Sequence, residues 1–343
     1  MNFKKLFVIM VAMVLALSVM VGCAPEEEPE EVEEEPEEVE EEPDEEPVED
    51  MEIDIVVGFD AGGSHDVTAR YVAEALRDEG IQADVVNMPG AMGTEAAYHV
   101  AQQDPDENIF MWANPLIMLF EPAAHETGFV LEDFDAVGAL ASPTFCFGSR
   151  MGAPWDTLDE LYDYMEENPG EVVLGTQGEG NMMHWMAEMV FPPDEYDYEL
   201  VPLEGGTDVA MNLAGDHVDV GHMSLAAGAP LHRDGDLEVF VHTQILQETD
   251  PLMPDVPNVA EYGMEHAQEP HFLGMFAPAG VDDAVVERIE EAFAALAEDD
   301  ELHDNFKDNG VVLNHLTAQE TWDAFVEVQE DYIPEFKEWL EAQ

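Results

Sequence analysis

Short apolar runs alternate with amphipathic segments along the chain beyond residue 50. Runs at 53–57, 83–86, 109–113 and 134–141 are bounded by turn residues, which is typical of buried strands. Further runs predict strands at 171–175, 199–203, 218–221, 237–241 and 272–277. Between the strands, apolar residues recur every three to four positions, as in helices that bury one face. This alternation predicts an α/β fold with parallel-rich sheets.

Polar capping residues mark where several helices begin. Thr157 with Glu160, and Thr317 with Glu320, have the spacing of a capping box, which satisfies free backbone N–H groups at a helix start. Helices are therefore predicted from 157 to about 168 and from 317 to 340. Apolar spacing predicts others at 282–297 and 300–308.

Two glycine-rich turns, at 58–66 and 87–93, carry the clearest chemical signal. Each follows a predicted strand and precedes a predicted helix. Glycine lets backbone N–H groups approach a ligand closely, and the free N–H groups of a helix start favour an anion. Similar turns at 177–181 and 204–207 follow strands in the second half of the chain. The pattern predicts two similar lobes that face each other across a ligand-binding cleft.

The N-terminal segment has the pattern of an exported lipoprotein. Two lysines precede an apolar run that ends in Met20-Val21-Gly22-Cys23, which predicts a signal peptide at 1–22 and lipidation of Cys23. A transmembrane anchor is the alternative reading of this run. Residues 26–50 hold 18 Asp or Glu and regularly spaced prolines, so 23–50 is predicted to be a lipid anchor with an extended acidic tether. We therefore expect an extracytoplasmic, membrane-anchored protein.

The chain stays strongly acidic beyond the tether. Residues 51–343 hold 62 Asp or Glu against 7 Lys or Arg. Such a charge opposes binding to nucleic acid or to anionic lipid. An acidic, lysine-poor surface indicates adaptation to high salt, so we expect a halophilic source. Cys146, the other cysteine besides Cys23, is expected to be a small buried residue and not a disulfide partner.

Several motifs, in order along the chain, resemble one family of receptors. They read IVVGFDAGG at 55–63, NMPGAMG at 87–93, VPLEGG at 201–206, DVPNVAEYG at 255–263 and FAPAG at 276–280. Together they resemble the solute-binding receptors of tripartite tricarboxylate transporters, also called Bug receptors, over 52–340. The resemblance implies a two-lobed, periplasmic-binding-protein-like (type II) fold that closes on a small carboxylate. It also implies membrane permease subunits as partners, no cofactor and no enzymatic activity.

The resemblance and the turns together give the expected lobes and ligand contacts. Lobe 1 is expected to comprise 51–150 and 272–343, and lobe 2 to comprise 151–271. Contacts are expected in lobe 1 at Phe59, Gly62, Gly63, Ser64, His65, Asp66, Pro89, Gly90, Ala91, Met92 and Gly93. In lobe 2 they are expected at Gly178, Asn181, Met182, Gly205, Gly206, Thr207, Met223 and Ser224. Met92 and Leu203 stand where the family has glycine and tyrosine, so both are expected to change the pocket.

Other interpretations compete for some of these residues. Ser64-His65-Asp66 has the residue types of a catalytic triad, but sequence neighbours rarely adopt its geometry, and a helix cap is the simpler explanation. His65 is instead a candidate for a pH-dependent contact with a bound carboxylate. No catalytic residue is expected.

Two further alternatives involve aromatic and metal-ligating side chains. Trp112, Trp155 and Trp185 would allow an aromatic cage for a quaternary-ammonium osmolyte, although core packing is the simpler explanation. The cluster at 217–222 and the pair His184 and Glu188 have spacings that a metal-assisted hydrolase would need. Such spacings also arise by chance in a histidine-containing chain, so no metal site is expected.

Overall fold

The computed structural model describes residues 51–245 and 250–343. This part of the chain forms two mixed sheets, with strand orders 11-4-10-3-1-2 and 7-6-8-5-9. Each sheet is the centre of one lobe, which confirms the predicted two-lobed α/β fold. The predicted signal peptide, the lipidated Cys23 and the acidic tether lie outside the described residues.

The strands and helices follow the predicted alternation. The strands are β1 (Met51–Val57), β2 (Ile81–Asn87), β3 (Ile109–Ala113), β4 (Phe134–Pro143), β5 (Phe145–Arg150), β6 (Val173–Gln177), β7 (Glu199–Leu203), β8 (Val220–Ser224), β9 (Leu237–His242), β10 (Leu273–Pro278) and β11 (Val311–Leu316). The α-helices are α1 (Ser64–Leu76), α2 (Thr94–Ala101), α3 (Glu121–Ala124), α4 (Leu158–Glu167), α5 (Met182–Val190), α6 (Gly206–Ala214), α7 (Leu225–Asp234), α8 (Asp283–Leu296), α9 (Asp300–Asp308) and α10 (Ala318–Ala342). A π-helical turn at Leu116–Phe120 runs into α3.

The strand after each crossing between lobes runs against the parallel strands. In the first sheet β1 pairs in parallel with β2 and β3, whereas β10 is antiparallel to β3 and β4. In the second, β6 pairs in parallel with β7 and β8, whereas β5 is antiparallel to β8 and β9. The sheets are therefore mixed, because the chain enters each lobe from the side of the other.

The first crossing between lobes comes earlier than the predicted boundary. Residues 145–150 were expected in lobe 1, but β5 pairs with β8 and β9 in the second sheet. The chain changes sheet at Thr144, between β4 and β5, without a glycine or a loop. The apolar run continues through this point, so periodicity alone gave no sign of the crossing. The return crossing runs through His271 and Phe272 into β10.

Apolar side chains cover both faces of each sheet. On the first sheet, one face packs under α2, the π-helical turn and α10, and the other under α1, α8 and α9. Methionines of α5 and Trp185, from lobe 2, pack into the cluster under α10, where Trp185 contacts Phe120 and Phe336. The C-terminal helix therefore contacts both lobes.

Burial confirms the expectation for the second cysteine. Cys146 is a free, fully buried residue of β5, as predicted, and burial raises the pKa of its thiol. Across 51–245 and 250–343, no helix combines the length and apolar character that crossing a bilayer would need.

Candidate ligand-binding site

A cavity of about 290 Å³ lies between the two lobes. Its lining comes from the β1–α1 turn in lobe 1 and from the carboxyl ends of β6, β7 and β8 in lobe 2. A larger depression, of about 440 Å³, lies at the amino ends of β1 and β2, and its lining includes four carboxylates and Arg77. We place the site in the first cavity, because ligands of open α/β sheets bind at the carboxyl ends of the strands.

Eight of the predicted contacts line this cavity. They are Phe59, Gly63, Ser64, His65, Met92, Asn181, Gly205 and Ser224. The other predicted contacts lie near these residues in the chain but outside the lining: Gly62, Asp66, Pro89, Gly90, Ala91, Gly93, Gly178, Met182, Gly206, Thr207 and Met223. Several of them shape the turns that carry the lining residues.

The two glycine-rich turns of lobe 1 pack directly on each other. A Cβ atom at Gly58 would lie 2.5 Å from the Cα of Gly93, so only glycine fits where the turns touch. The amide of Asn87, at the end of β2, donates to the Phe59 carbonyl at 3.1 Å and to the Asp66 carboxylate at 2.8 Å. The second turn therefore holds the first in place.

Asp66 is a structural residue of this arrangement. It is 2% exposed, and its carboxylate accepts hydrogen bonds from the Gly62 amide at 2.8 Å and the Arg70 guanidinium at 3.0 Å. Burial alone would raise its pKa, but the hydrogen bonds from Arg70, Gly62 and Asn87 outweigh burial and lower the pKa. Asp66 therefore stays ionised, and its carboxylate forms an ion pair with Arg70.

The second turn has an unusual backbone. Ala91, Met92 and Gly93 have φ values of 45°, 54° and 91°, so three consecutive residues are left-handed and two of them are not glycine. The Met92 side chain is 47% exposed and lines the cavity. Met92 therefore places a side chain in the cavity lining at the position where the sequence motif of the resembling receptors has glycine.

One helix of each lobe starts at the cavity lining. The N-cap residues of α1 and α6 are Gly63 and Gly205, neither of which supplies a side-chain cap, and both glycines line the cavity. Helix α5 is different, because the Asn181 side chain accepts a hydrogen bond from the His184 amide. Uncapped N–H groups and the helix dipole favour an anion at both places.

The side chains of the cavity lining carry no positive charge in the described part of the chain. Within the described ranges, no lysine or arginine borders the cavity. Burial lowers the pKa of His65 to about 4 and that of His271 to about 3, so both rings are neutral at physiological pH. Glu204, directly after β7, adds a carboxylate to the lining. An anion in this cavity would be held by neutral donors.

A buried polar chain leads from the cavity into the crossing between lobes. The Nδ2 atom of Asn114 lies 3.2 Å from Nε2 of His65 and 2.9 Å from Nε2 of His271. Nδ1 of His271 is 3.7 Å from the Glu269 carboxylate, and this carboxylate is 3.1 Å from Nε2 of His222. The chain connects β3, the return crossing and β8, so it links the two sheets.

This geometry argues against a catalytic triad at 64–66. The Asp66 carboxylate is bonded to Gly62, Arg70 and Asn87, while the His65 ring is bonded to Asn114. The carboxylate does not orient the imidazole, which a triad needs. The lowered pKa of His65 also moves the expected pH-dependent contact below the neutral range.

The tryptophans of the osmolyte alternative are packing residues. Trp112 is fully buried in the core of lobe 1 and donates to Thr68 at 3.1 Å. Trp155 packs on Tyr164 in lobe 2, and Trp185 packs under α10. The three indoles lie in separate clusters and none borders the cavity, so they form no cage.

The residues considered as metal ligands are paired with other side chains in separate places. Asp219 binds Arg150 at 2.6 Å, whereas His222 pairs with Glu269. His184 lies 3.1 Å from Glu188, and Glu188 accepts a hydrogen bond from Trp339 of α10. No group of three or more ligating side chains is placed to hold a metal in 51–245 and 250–343.

Comparison with known proteins agrees with the architecture. The family model described as the tripartite tricarboxylate transporter family receptor matches residues 68–331. The chain belongs to this family. It is 28% identical over 247 residues to the UPF0065 protein in the gbd 5′ region of Cupriavidus necator, covering 70% of this chain and 73% of that protein.

Solved structures of similar proteins share the fold of this receptor. A TctC solute binding protein from Polaromonas has a TM-score of 0.72 at 20% identity, covering 86% of this chain and 100% of its own. A protein of R. palustris solved with adipate has a TM-score of 0.70 at 21% identity, covering 84% of this chain and 97% of its own. The two-lobed arrangement is therefore the common architecture of these proteins.

Sequence reasoning missed about half of the cavity lining of the receptor. Gln177 and Glu204 are the first residues of the predicted turns at 177–181 and 204–207, so their position was a usable signal. Phe145 and His271 lie at the two crossings between lobes, which periodicity does not mark. The other missed residues are Leu116, Pro143, Met183, Ala226, Asn309, Gly310 and Val311. These are brought to the cavity only by the packing of the lobes.

Proposed function

We propose that this receptor is an extracytoplasmic binding protein that captures a small organic anion between its lobes and performs no chemistry on it. The observation that carries the proposal is the cavity itself, which is lined by the N-cap glycine of an uncapped helix from each lobe and, in the part of the chain that the structure describes, by no lysine or arginine. Backbone N–H groups bind carboxylates well under these conditions, because the low dielectric of a closed cleft strengthens their dipoles.

The cavity suits a dicarboxylate with an apolar middle. The starts of α1 and α6 lie on opposite lobes, so each is placed to hold one end of a linear ligand. Met92, Leu116, Phe145, Met183 and Val311 give the wall between them an apolar character. The adipate bound by the R. palustris relative has this chemistry. A tricarboxylate would add charge that the lining cannot neutralise, and Glu204 would repel it.

Ligand binding would be coupled to transport through a change in the relative position of the two lobes. The ligand contacts both lobes, so it favours the closed arrangement over the open one. We propose that the closed receptor docks on the permease subunits of a tripartite transporter, as its family membership suggests. Lipidation at Cys23 and the acidic tether would keep it near the membrane. Replacing Cys23 by Ser should release the receptor into the soluble fraction.

A thermal-shift screen tests the ligand class. Residues 51–343 would be heated in molar salt with mono-, di- and tricarboxylates, acidic amino acids and betaine. A ligand at a hundred times its Kd adds about 2.7 kcal/mol to the free energy of unfolding. We expect dicarboxylates to raise the midpoint by several degrees. A response to betaine alone would contradict the proposal.

A variant at Gly205 tests the site. The backbone there is extended, and a Cβ would meet nothing within 4 Å, so Gly205→Val is expected to fold normally while filling the cavity. Ala284→Val, on the exposed first turn of α8, is the matched control. We expect Gly205→Val to lose the ligand response and Ala284→Val to keep it. Equal responses would refute this placement of the site.

A further inference from the structure

Behind the cavity lining lies an asparagine, Asn114, whose side-chain oxygen and nitrogen both have hydrogen-bond partners. Asn114 is fully buried directly after β3, and its Oδ1 accepts the backbone N–H of Ile117 at 3.2 Å. This bond fixes which end of the amide is the oxygen. The other end is therefore the NH₂ group, which faces Nε2 of both His65 and His271.

An amide NH₂ group can only donate hydrogen bonds. Nε2 of His65 must therefore be an acceptor and carry no proton. A neutral imidazole with a bare Nε2 carries its proton on Nδ1. The same reasoning applies to His271, whose Nδ1 lies toward the Glu269 carboxylate. The two rings differ in what their Nδ1–H groups face.

Nδ1 of His65 has no hydrogen-bond partner among the described residues, and His65 lines the cavity beside the uncapped start of α1. The ring of Phe59 lies 4.5 Å from the His65 ring and holds it on its other side. The side-chain N–H and the helix N–H groups therefore belong to the same wall.

We propose that Asn114 is a positioning residue that fixes the tautomer of His65, so that His65 offers a neutral Nδ1–H donor to an oxygen of the bound ligand. The inference rests on the proposed function, since it assumes that an anion occupies this cavity. It assigns His65 a constant role as a donor, in contrast to the pH-dependent contact that the sequence suggested.

The charged and titratable groups around His65 support a neutral ring. On its own helix, Asp66 is bonded to Arg70 and Asn87; from the return crossing, His271 lies with its ring centre 6.3 Å away. Glu269 and His222 lie behind His271, and Glu204 borders the cavity from lobe 2. Burial lowers the pKa of His65 to about 4, and protonating its Nε2 would also set two donors against each other.

The tautomer can be observed without any ligand. Nitrogen NMR of the protein labelled at its histidines distinguishes Nδ1–H from Nε2–H, and His65→Gln identifies the His65 signals by removing them. We expect His65 to be protonated on Nδ1 alone between pH 5.5 and 8, as roughly set by a pKa near 4. A proton on Nε2, or titration within that range, would overturn the proposal.

Asn114→Asp replaces the donor that faces His65 with an acceptor, while the side chain keeps nearly the same shape. The new carboxylate accepts from Nε2–H of His65, which leaves Nδ1 bare and facing the ligand at pH 8. At pH 5.5 the ring gains a second proton and becomes a donor again. With adipate as the probe, we expect the affinity of this variant to fall about tenfold from pH 5.5 to pH 8, since one hydrogen bond is worth about that factor.

Asn309→Asp is the matched control, because Asn309 also borders the cavity but bonds to Tyr71 and Asn305. It adds the same charge without touching His65, so its affinity and that of the wild type should change less than about twofold over this range. An equal pH dependence in both variants would overturn the proposal. If adipate and the other carboxylates fail to bind the wild type, the proposed function fails, while the tautomer measurement still decides the role of Asn114.

Discussion

We expect closure of the two lobes to depend on Gly310, a glycine of lobe 1 that lies against lobe 2. Gly310 lies in the turn between α9 and β11 of lobe 1, and Ala226 lies in the first turn of α7 in lobe 2. Both border the cavity. A Cβ at Gly310 would lie 2.5 Å from both the Cα and the N of Ala226, and 2.7 Å from its Cβ. These are mainly backbone atoms, which cannot rotate away. Gly310→Ala should therefore hold the lobes apart.

The distances give the size of the effect. Ordinary contact begins at 3.4 Å, so the lobes must separate locally by roughly 0.9 Å or accept overpacking. Overpacking costs about 1–3 kcal/mol. If this cost falls on closure, the affinity for a ligand gripped by both lobes drops about 5- to 150-fold. The left-handed φ of Gly310, +67°, adds a cost of about 1 kcal/mol to folding itself.

Gly235→Ala separates these two costs. Gly235 has a similar φ of +78°, but a Cβ there would meet nothing within 4 Å. Both variants should therefore lose a similar amount of stability in thermal unfolding without ligand. Calorimetric titration with the best carboxylate of the screen should show weaker binding for Gly310→Ala alone. Equal affinities of the two variants would refute the reasoning that closure brings Gly310 against Ala226.

Three further predictions follow from the turns and the surface. Asp66→Asn should lower the free energy of unfolding at pH 7 by about 1–3 kcal/mol. Because the pKa of Asp66 is lowered in the folded protein, urea unfolding should show that this difference shrinks as the pH falls below about 4. The exposed control Asp84→Asn should show neither effect. Met92→Gly should relieve the left-handed backbone and widen the cavity, so bulkier dicarboxylates should gain affinity relative to short ones in calorimetry; unchanged relative affinities would contradict a role of Met92 in selection. Raising the salt from 0.1 to 1 M shortens the screening length from about 10 to about 3 Å, so the unfolding midpoint should rise with 62 Asp or Glu against 7 Lys or Arg in 51–343; a midpoint independent of salt would argue against a halophilic source.

Local signals in the sequence located most elements well. β3 and β7 coincide with their predicted runs, and α9 spans the predicted 300–308, because each is bounded by residues that stop a strand or cap a helix. Among the elements that were not predicted, β5 and α7 begin without a loop after the preceding strand. β5 follows β4 after one residue, and α7 follows β8 directly. Periodicity cannot divide an apolar stretch that changes sheet or structure within it.

The binding site divides in the same way. The turns at 58–66 and 87–93 could be predicted because their glycines and the helix starts that follow are local features of the sequence. The role of each residue within the turns could not be predicted in this way. Asp66 was expected to contact ligand, and it ties the two turns together instead. The tautomer of His65 depends on Asn114 and Ile117, which are 49 and 52 positions away in the sequence.

The sequence by itself therefore determined the alternation of strands and helices, the position of the anion-favouring turns, the family resemblance and the excess of negative charge. Each of these is written in neighbouring residues or in simple composition. Only the tertiary structure decided where the chain crosses between lobes, which turn residues face the cavity, and which histidine nitrogen is free to donate. Those properties arise when Asn114, His271 and Gly310, far apart in the chain, are packed around one cavity, and no local pattern records such contacts.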